Sequence, residues 1–252
     1  MSETEPVQIE NHVALITGAS RRIGAAIAKR LHAEGMQIAI HYRGSEADAF
    51  ALRDELNEVR DGSADTFQGD LIDEGEPARL VDIVIDRFGE LHTVINNAST
   101  FYPTPLGEID ETNWRDLVGS NLKAPLFLSQ AAAPHLLKSR GSIGNIVDIH
   151  AKKPLKDHHV YGAAKAGLAM LTRSLARTLA PHVRVNGVSP GAIAWPEGGM
   201  TDDVKQAILD EVPLGRSGEP ADIANAVLFL LRDATYSTGQ ILAIDGGRSV
   251  GW

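Results

Sequence analysis

Cysteine is absent from this chain. That absence excludes disulfides, thiolate catalysis and cysteine-ligated zinc, and it fits a reducing compartment. Long apolar runs are missing too, none reaching the roughly 18 residues that a membrane-spanning helix requires. The opening segment MSETEPVQIEN is acidic and polar where a secretion signal carries a basic stretch and then an apolar one, so the expectation is a cytoplasmic protein. Positive charge is scarce as well, with a formal net charge of -9. Nucleic acid is therefore a poor partner, because phosphate binding draws on clustered Lys and Arg that an acidic surface opposes. Any anion this protein binds must be met by a local basic pocket.

What is present is a chain of 252 residues, 43% of them hydrophobic, enough for a large core. No repeat of 20 to 50 residues, no low-complexity linker and no break in composition divides it. One domain over residues 1–252 is expected, its first ten residues a flexible tail. Short apolar runs alternate with amphipathic stretches throughout. VALIT (13–17), QIAIHY (37–42), ADTFQ (64–68), LHTVI (91–95), SIGNIVDI (142–149), VRVNGVS (183–189) and QILAID (240–245) have the length and β-branched content of strands. Helical patterns lie between them, such as IGAAIAKRLHAEG and EPARLVDIVIDRFG, which stop at Gly35 and Gly89 as C-cap glycines would stop them. This alternation predicts an α/β fold, a doubly wound parallel sheet with helices on both faces. Ligands of such sheets bind beyond the carboxyl ends of the strands, where strand order reverses, so the residues just after 17, 42, 69, 95, 148 and 189 should line one crevice.

The chemistry-bearing residues collect at those positions. TGASRRIG follows the first strand, with Gly18 and Gly24 bracketing a tight turn into a helix whose N-terminal amides can hold a pyrophosphate. The second strand ends in His41-Tyr42-Arg43-Gly44-Ser45 and lacks the acid that would accept from the ribose 2'-hydroxyl of NAD. Arg22, Arg43 and Ser45 instead supply charge and donors for a 2'-phosphate, so NADP(H) is the expected cofactor. The alternative for Arg21, Arg22 and Arg43 is a solvated surface charge, and it is weaker for Arg22 and Arg43, which stand at the crevice edge. Tyr161 and Lys165 stand four apart in the helical stretch YGAAKAGLAMLTRSLA, hence on one face, where an ammonium should draw the phenol pKa down from about 10 toward the working pH. Tyr161 then becomes a usable general acid.

TGASRRIG, NNAST (96–100), Tyr161-Gly-Ala-Ala-Lys165 and VSPG (188–191) together resemble the short-chain dehydrogenase/reductase family in order and spacing, from about residue 10 onward. The resemblance implies a single Rossmann domain with a seven-stranded sheet, commonly assembled as a homotetramer through the helices near 112–138 and 161–180. It implies cofactor contacts at Gly18, Ile23, Gly24, Asp70 (adenine), Asn97, Ala98, Tyr161, Lys165, Pro190 and Gly191. It also implies a proton-relay role at Asn121, with a helix kink as the structural alternative.

Two departures narrow the resemblance. The family's usual turn has a glycine where this chain has Arg22, and the position 13 residues before the tyrosine, commonly Ser, is Asp148. A hydroxyl can donate to a substrate carbonyl, whereas a carboxylate can only accept, and it would repel a developing alkoxide. Asp148 therefore argues for a substrate with N–H groups. Both departures, the cluster His41, Tyr42 and Ser45, and the loop NNASTFYPTPL (96–106) with Ser99, are similar to the pteridine reductases. That similarity implies a pterin or folate substrate, dihydropterin or dihydrofolate going to the tetrahydro form. Phe101 would stack on the substrate ring, Ser99 and Arg22 would contact pterin or cofactor phosphate, and Asp148 and Tyr161 would act as a proton-delivering pair. The alternatives are a carbonyl reductase of a sugar or acyl substrate and a non-catalytic NADP sensor. Trp195, in AIAWPEGGMTDD, is either a contact from a substrate lid or a tryptophan packed on its own loop. The histidines at 150, 158 and 159 lack metal-binding spacing, and no metal is expected.

Overall fold

The computed structural model describes residues 6–193 and 201–250. Every strand of the sheet runs parallel: β1 (Val13–Ile16), β2 (Gln37–Tyr42), β3 (Ala64–Gln68), β4 (Thr93–Asn96), β5 (Ser142–Ile146), β6 (Arg184–Pro190) and β7 (Ile241–Ile244). Their order is β3-β2-β1-β4-β5-β6-β7, so the chain reverses direction of growth at β1, between β2 and β4. A crevice opens there at the carboxyl ends.

Both faces are covered, and the strand sequences show it. All four residues of β1 are buried, Val13 and Leu15 in one apolar cluster and Ala14 and Ile16 in the other. The first cluster includes Leu80, Val81 and Val84 of α3 (Glu76–Phe88), Leu128, Ala132 and Leu136 of α5 (Ala124–Ser139), and Ala176 and Leu179 of α6 (His159–Leu179). The second includes Ile27 and Leu31 of α1 (Arg22–Ala33), Leu52 and Leu56 of α2 (Glu46–Val59), and Ile223 and Val227 of α8 (Pro220–Leu228). Helices on both faces explain why the strands read as unbroken apolar runs rather than alternating ones. Two further helices, α4 (Glu111–Val118) and α7 (Asp202–Asp210), complete the set among the described residues. No helix among these residues is long and apolar enough to cross a membrane.

Glycine ends the helices where the sequence places it: Gly35 (φ +91°) follows the C-cap of α1, and Gly89 (φ +82°) is the C-cap of α3. Two expectations change. Val7 and Ile9 belong to the folded domain rather than to a tail, because the Val7 amide donates to the Arg232 carbonyl at 2.8 Å and Ile9 lies 6% exposed within the core. The fifth strand stops at Ile146, so Asp148 stands at its exit, partly exposed, rather than inside it. The reason is local: Asp148 Oδ1 accepts from the His150 amide at 2.8 Å and caps a 3-10 turn, Ile149–Ala151.

Candidate active site

The crevice beside the switch point is a cleft of about 450 Å³. Gly18, Arg22, Ile23, Gly24, His41, Tyr42, Arg43, Ser45, Asp70, Asn97, Ala98 and Ser99 all line it. Its first turn admits only glycine at two points. A Cβ at Gly18, which has φ +59°, would meet Ala98 Cα at 2.9 Å, and one at Gly24 would meet the Gly18 carbonyl oxygen at 2.3 Å. Asn97 secures the turn by donating from Nδ2 to the Thr17 and Gly18 carbonyls at 2.9 and 3.0 Å. The N-terminus of α1 opens on this cleft with no side-chain cap and no acid in its first turn. Glycine cradle, uncapped helix start and the nearby Arg22 and Arg43 suit a dinucleotide pyrophosphate and its phosphates.

His41, a member of the cluster that the resemblance marks, is held by backbone on both sides. It is 2% exposed, its Nδ1 accepts from the Gly18 amide at 3.2 Å, and its Nε2 lies 3.1 Å from the Gly69 carbonyl. Accepting at Nδ1 fixes the proton on Nε2, which then donates to Gly69. Burial lowers its pKa to about 4, so it is neutral near pH 7. His41 thus braces the glycine turn against the exit of β3, and both ring nitrogens are engaged by backbone. Arg43, more than half exposed, reaches toward Asp70 Oδ2 (3.7 Å) and Asp116 Oδ1 (3.9 Å). Asp70 Oδ1 also accepts from the Ile72 amide at 3.1 Å.

Beyond the cleft, α6 presents Tyr161 and Lys165 from one buried face, 4% and 2% exposed. The Tyr161 hydroxyl donates to Asp148 Oδ2 at 2.7 Å. Lys165 Nζ donates to the Ile146 carbonyl at 2.9 Å and sits 5.7 Å from the centre of the Tyr161 ring. This arrangement reverses the expected titration of the tyrosine. Burial, then the adjoining Asp148 charge and its hydrogen bond, raise the phenol pKa well above the usual range, with the Ser99 hydroxyl opposing. The carboxylate touches the hydroxyl itself, whereas the ammonium is farther off. Lys165 is in turn lowered to about 8 by burial, against the pull of Asp148.

Asn121 lies in a π-helical turn, Gly119–Lys123, between α4 and α5. Its amide donates to the carbonyls of Thr100 and Leu117 at 2.9 and 3.0 Å, and its Oδ1 accepts from Ser99 Oγ at 2.7 Å. The kink and the stitching of residues 99–100 are therefore its visible work. Phe101 is 53% exposed, edge-on to Tyr161 with ring centres 4.8 Å apart. Its other neighbour, stacked at 4.6 Å, is His158, which the sequence marked only as one of three nearby histidines. The loop is tied there a second time, the Thr104 amide donating to the Asp157 carbonyl. Pro190 ends β6 and Gly191 follows it, neither among the residues lining the cleft; a Cβ at Gly191 would collide with Asp245 Cβ at 2.6 Å. Trp195 lies outside the described residues.

Residues 18–249 match the family model described as Enoyl-(Acyl carrier protein) reductase. The chain belongs to the short-chain dehydrogenase/reductase family. Members of this family are oxidoreductases using NAD(H) or NADP(H), the dinucleotides that the cleft geometry suits. The chain is 38% identical to Pteridine reductase 1 of Leishmania tarentolae over 279 residues, covering 94% of this chain and 96% of that protein. It is 37% identical to 3-oxoacyl-(acyl-carrier-protein) reductase FabG of Staphylococcus aureus over 240 residues, covering 93% and 96%. The FabG of Staphylococcus epidermidis is 36% identical over 241 residues, covering 94% and 98%. Overall identity within the short-chain dehydrogenase/reductase family does not separate these substrates, so the site must.

Proposed function

We propose that this protein is an NADPH-dependent reductase of pterins, converting a dihydropterin or dihydrofolate to its tetrahydro form and accepting oxidised pterin as well. The observation that carries this reading is the 2.7 Å bond from Tyr161 to Asp148. In a site built for ketones, the tyrosine proton and a second donor both point at the substrate oxygen. Here the tyrosine proton rests on a carboxylate, and an approaching carbonyl oxygen would meet that negative charge. A ring N–H meets an acceptor instead, and a ring nitrogen gaining a proton meets two groups able to share one.

The dinucleotide supplies the hydride when bound. Asp148 orients the heterocycle by accepting from its N–H groups, and Tyr161 and Asp148 together deliver the proton that reduction of a C=N bond consumes at nitrogen. Lys165, close to half-protonated at about pH 8, stands behind the pair as a proton reserve. Phe101, half-exposed beside Tyr161 and backed on one face by His158, leaves aromatic surface on which a flat ring can settle, limiting the orientations in which it reacts. For the cofactor, NADPH is favoured over NADH by the lack of an acid at the end of β2 and by Arg22, Arg43 and Ser45 along the cleft. Homotetramer formation belongs to the same reading, supported by the exposed apolar residues Leu126 and Phe127 of α5 and Met170 of α6.

A second reading, reduction of a 3-oxoacyl or other carbonyl substrate, is favoured by the near-equal identity to the FabG reductases. One assay separates the two: NADPH oxidation followed in turn with dihydrobiopterin, dihydrofolate and a simple β-keto ester. Turnover of the dihydropterins is expected. Turnover of the ester alone would replace the pterin reading with the second, and none with any substrate would point to a binding protein.

A further inference from the structure

Asp116 belongs to no motif. It stands in the last turn of α4, yet its carboxylate reaches the Arg43 guanidinium at 3.9 Å, bridging from that helix to the residues that end β2. Asp70 approaches the same guanidinium nitrogen at 3.7 Å. The arginine that the cleft offers to an anion is thus already attended by two carboxylates.

Asp116 is also held in place. Its carbonyl accepts from Ser120 Oγ at 2.8 Å and from Thr100 Oγ1 at 3.4 Å, and those hydroxyls are 2.6 Å from each other. Thr100 precedes Phe101, so the backbone that carries Asp116 is fastened to the loop facing Tyr161. The Tyr102 phenol, raised by burial and by its hydrogen bond to Asp116, adds a contact from the same loop. The backbone beneath this carboxylate is thus held, so the carboxylate stays beside Arg43 as a competitor when a ligand arrives.

We propose that Asp116 is a specificity-determining residue for the dinucleotide, a built-in competitor for Arg43 that the 2'-phosphate of NADPH must displace. The proposal rests on the reading of NADPH as cofactor. The contact is of the right strength for the task. A solvent-exposed pair is worth at most about 1 kcal/mol, whereas a phosphate offers a guanidinium bidentate, doubly charged partnership. The 2'-phosphate therefore wins, but with an affinity below what Arg43 would give alone, which keeps the oxidised cofactor exchangeable. NADH has no phosphate at this position and does not feel the competition.

Dissociation constants for NADPH and NADH, measured by fluorescence titration, test this in the parent, Asp116→Asn, Arg43→Ala and the double variant, with thermal melts to confirm folding. Asp116→Asn is expected to tighten NADPH about two- to fivefold at low salt, the size of one exposed ion pair, and to leave NADH unchanged. The gain should fade toward 1 M salt, where the screening length shrinks to about 3 Å, and should largely disappear in the Arg43→Ala background. Unchanged or weakened NADPH binding, an equal gain for NADH, or a full gain without Arg43 would overturn the proposal. Asp116→Ser gives the same reading should the Asn variant not fold. The underlying cofactor reading is judged separately by Arg43→Ala alone: weakening NADPH and NADH alike would refute it, whatever Asp116→Asn does.

Discussion

Tyr161 donates its phenolic proton to Asp148 across 2.7 Å, joining the first turn of α6 to the exit of β5. A buried phenol held by a carboxylate keeps its proton, so the group poised to change charge near working pH is not the tyrosine. It is Lys165, lowered from 10.5 to about 8, chiefly by burial.

The rate is expected to fall on the alkaline side with an apparent pKa near 8, as Lys165 loses the proton that backs the pair. Stability should move the other way. Between about pH 8 and 10.5 the unfolded chain binds more protons at this lysine than the folded one, so its contribution to stability rises with pH. A pH series of kcat beside urea unfolding checks both; a rate that follows stability downward would mean the limb reports unfolding.

His41 predicts a loss at low pH. Its folded pKa of about 4 lies below the ordinary 6.5, so the folded state resists a proton that the unfolded state accepts. Stability from this group is intact above pH 6.5 and is lost as pH falls toward 4. Between pH 7 and 4.5 the loss is about 2 kcal/mol. His41→Gln should unfold with that much less acid dependence, measured by urea titration at the two pH values, though its absolute stability will be lower because the brace between Gly18 and Gly69 is gone.

Arg22 holds a left-handed backbone, φ +52°, at the position where related turns carry glycine. A side chain there costs about 1–2 kcal/mol, partly offset by the roughly 0.5–1 kcal/mol that glycine loses in unfolded-state freedom. Arg22→Gly should therefore leave stability equal or up to about 1.5 kcal/mol higher in thermal unfolding, while NADPH binds about tenfold more weakly for want of one charge-assisted contact. A variant that lost stability and kept NADPH affinity would show the arginine to be structural.

Much of this site was legible in the sequence because it is written locally. TGASRRIG, with its two glycines, and the four-residue spacing of Tyr161 and Lys165 are read within one turn of chain, and the structure puts them at one end of one sheet. The alternation of strand and helix patterns predicts the parallel sheet, and the unbroken apolar character of VALI fits helices on both faces. What stayed hidden depends on residues distant in sequence. No periodicity sets Asp116 beside Arg43 or lays His158 on Phe101. His41 stands in the cluster that ends β2, and only the position of Gly69 reveals that its second nitrogen is engaged by backbone. The apolar neighbours of Asp148 suggest a strand that includes it; its own side chain ends that regularity by capping the next turn.

The account stands on Asp148, and the most direct test exchanges it for the hydroxyl that a ketone site would hold. The measurement is kcat/KM for dihydrobiopterin and for a β-keto ester in the parent and in Asp148→Ser, with NADPH affinity alongside. The parent is expected to prefer the dihydropterin. The variant should lose about 10²–10⁴-fold on it, the usual cost of removing a proton-transfer group, with NADPH affinity within about twofold and ester turnover unchanged or raised. Undiminished dihydropterin turnover in Asp148→Ser, or a parent enzyme that reduces only the ester, would contradict it.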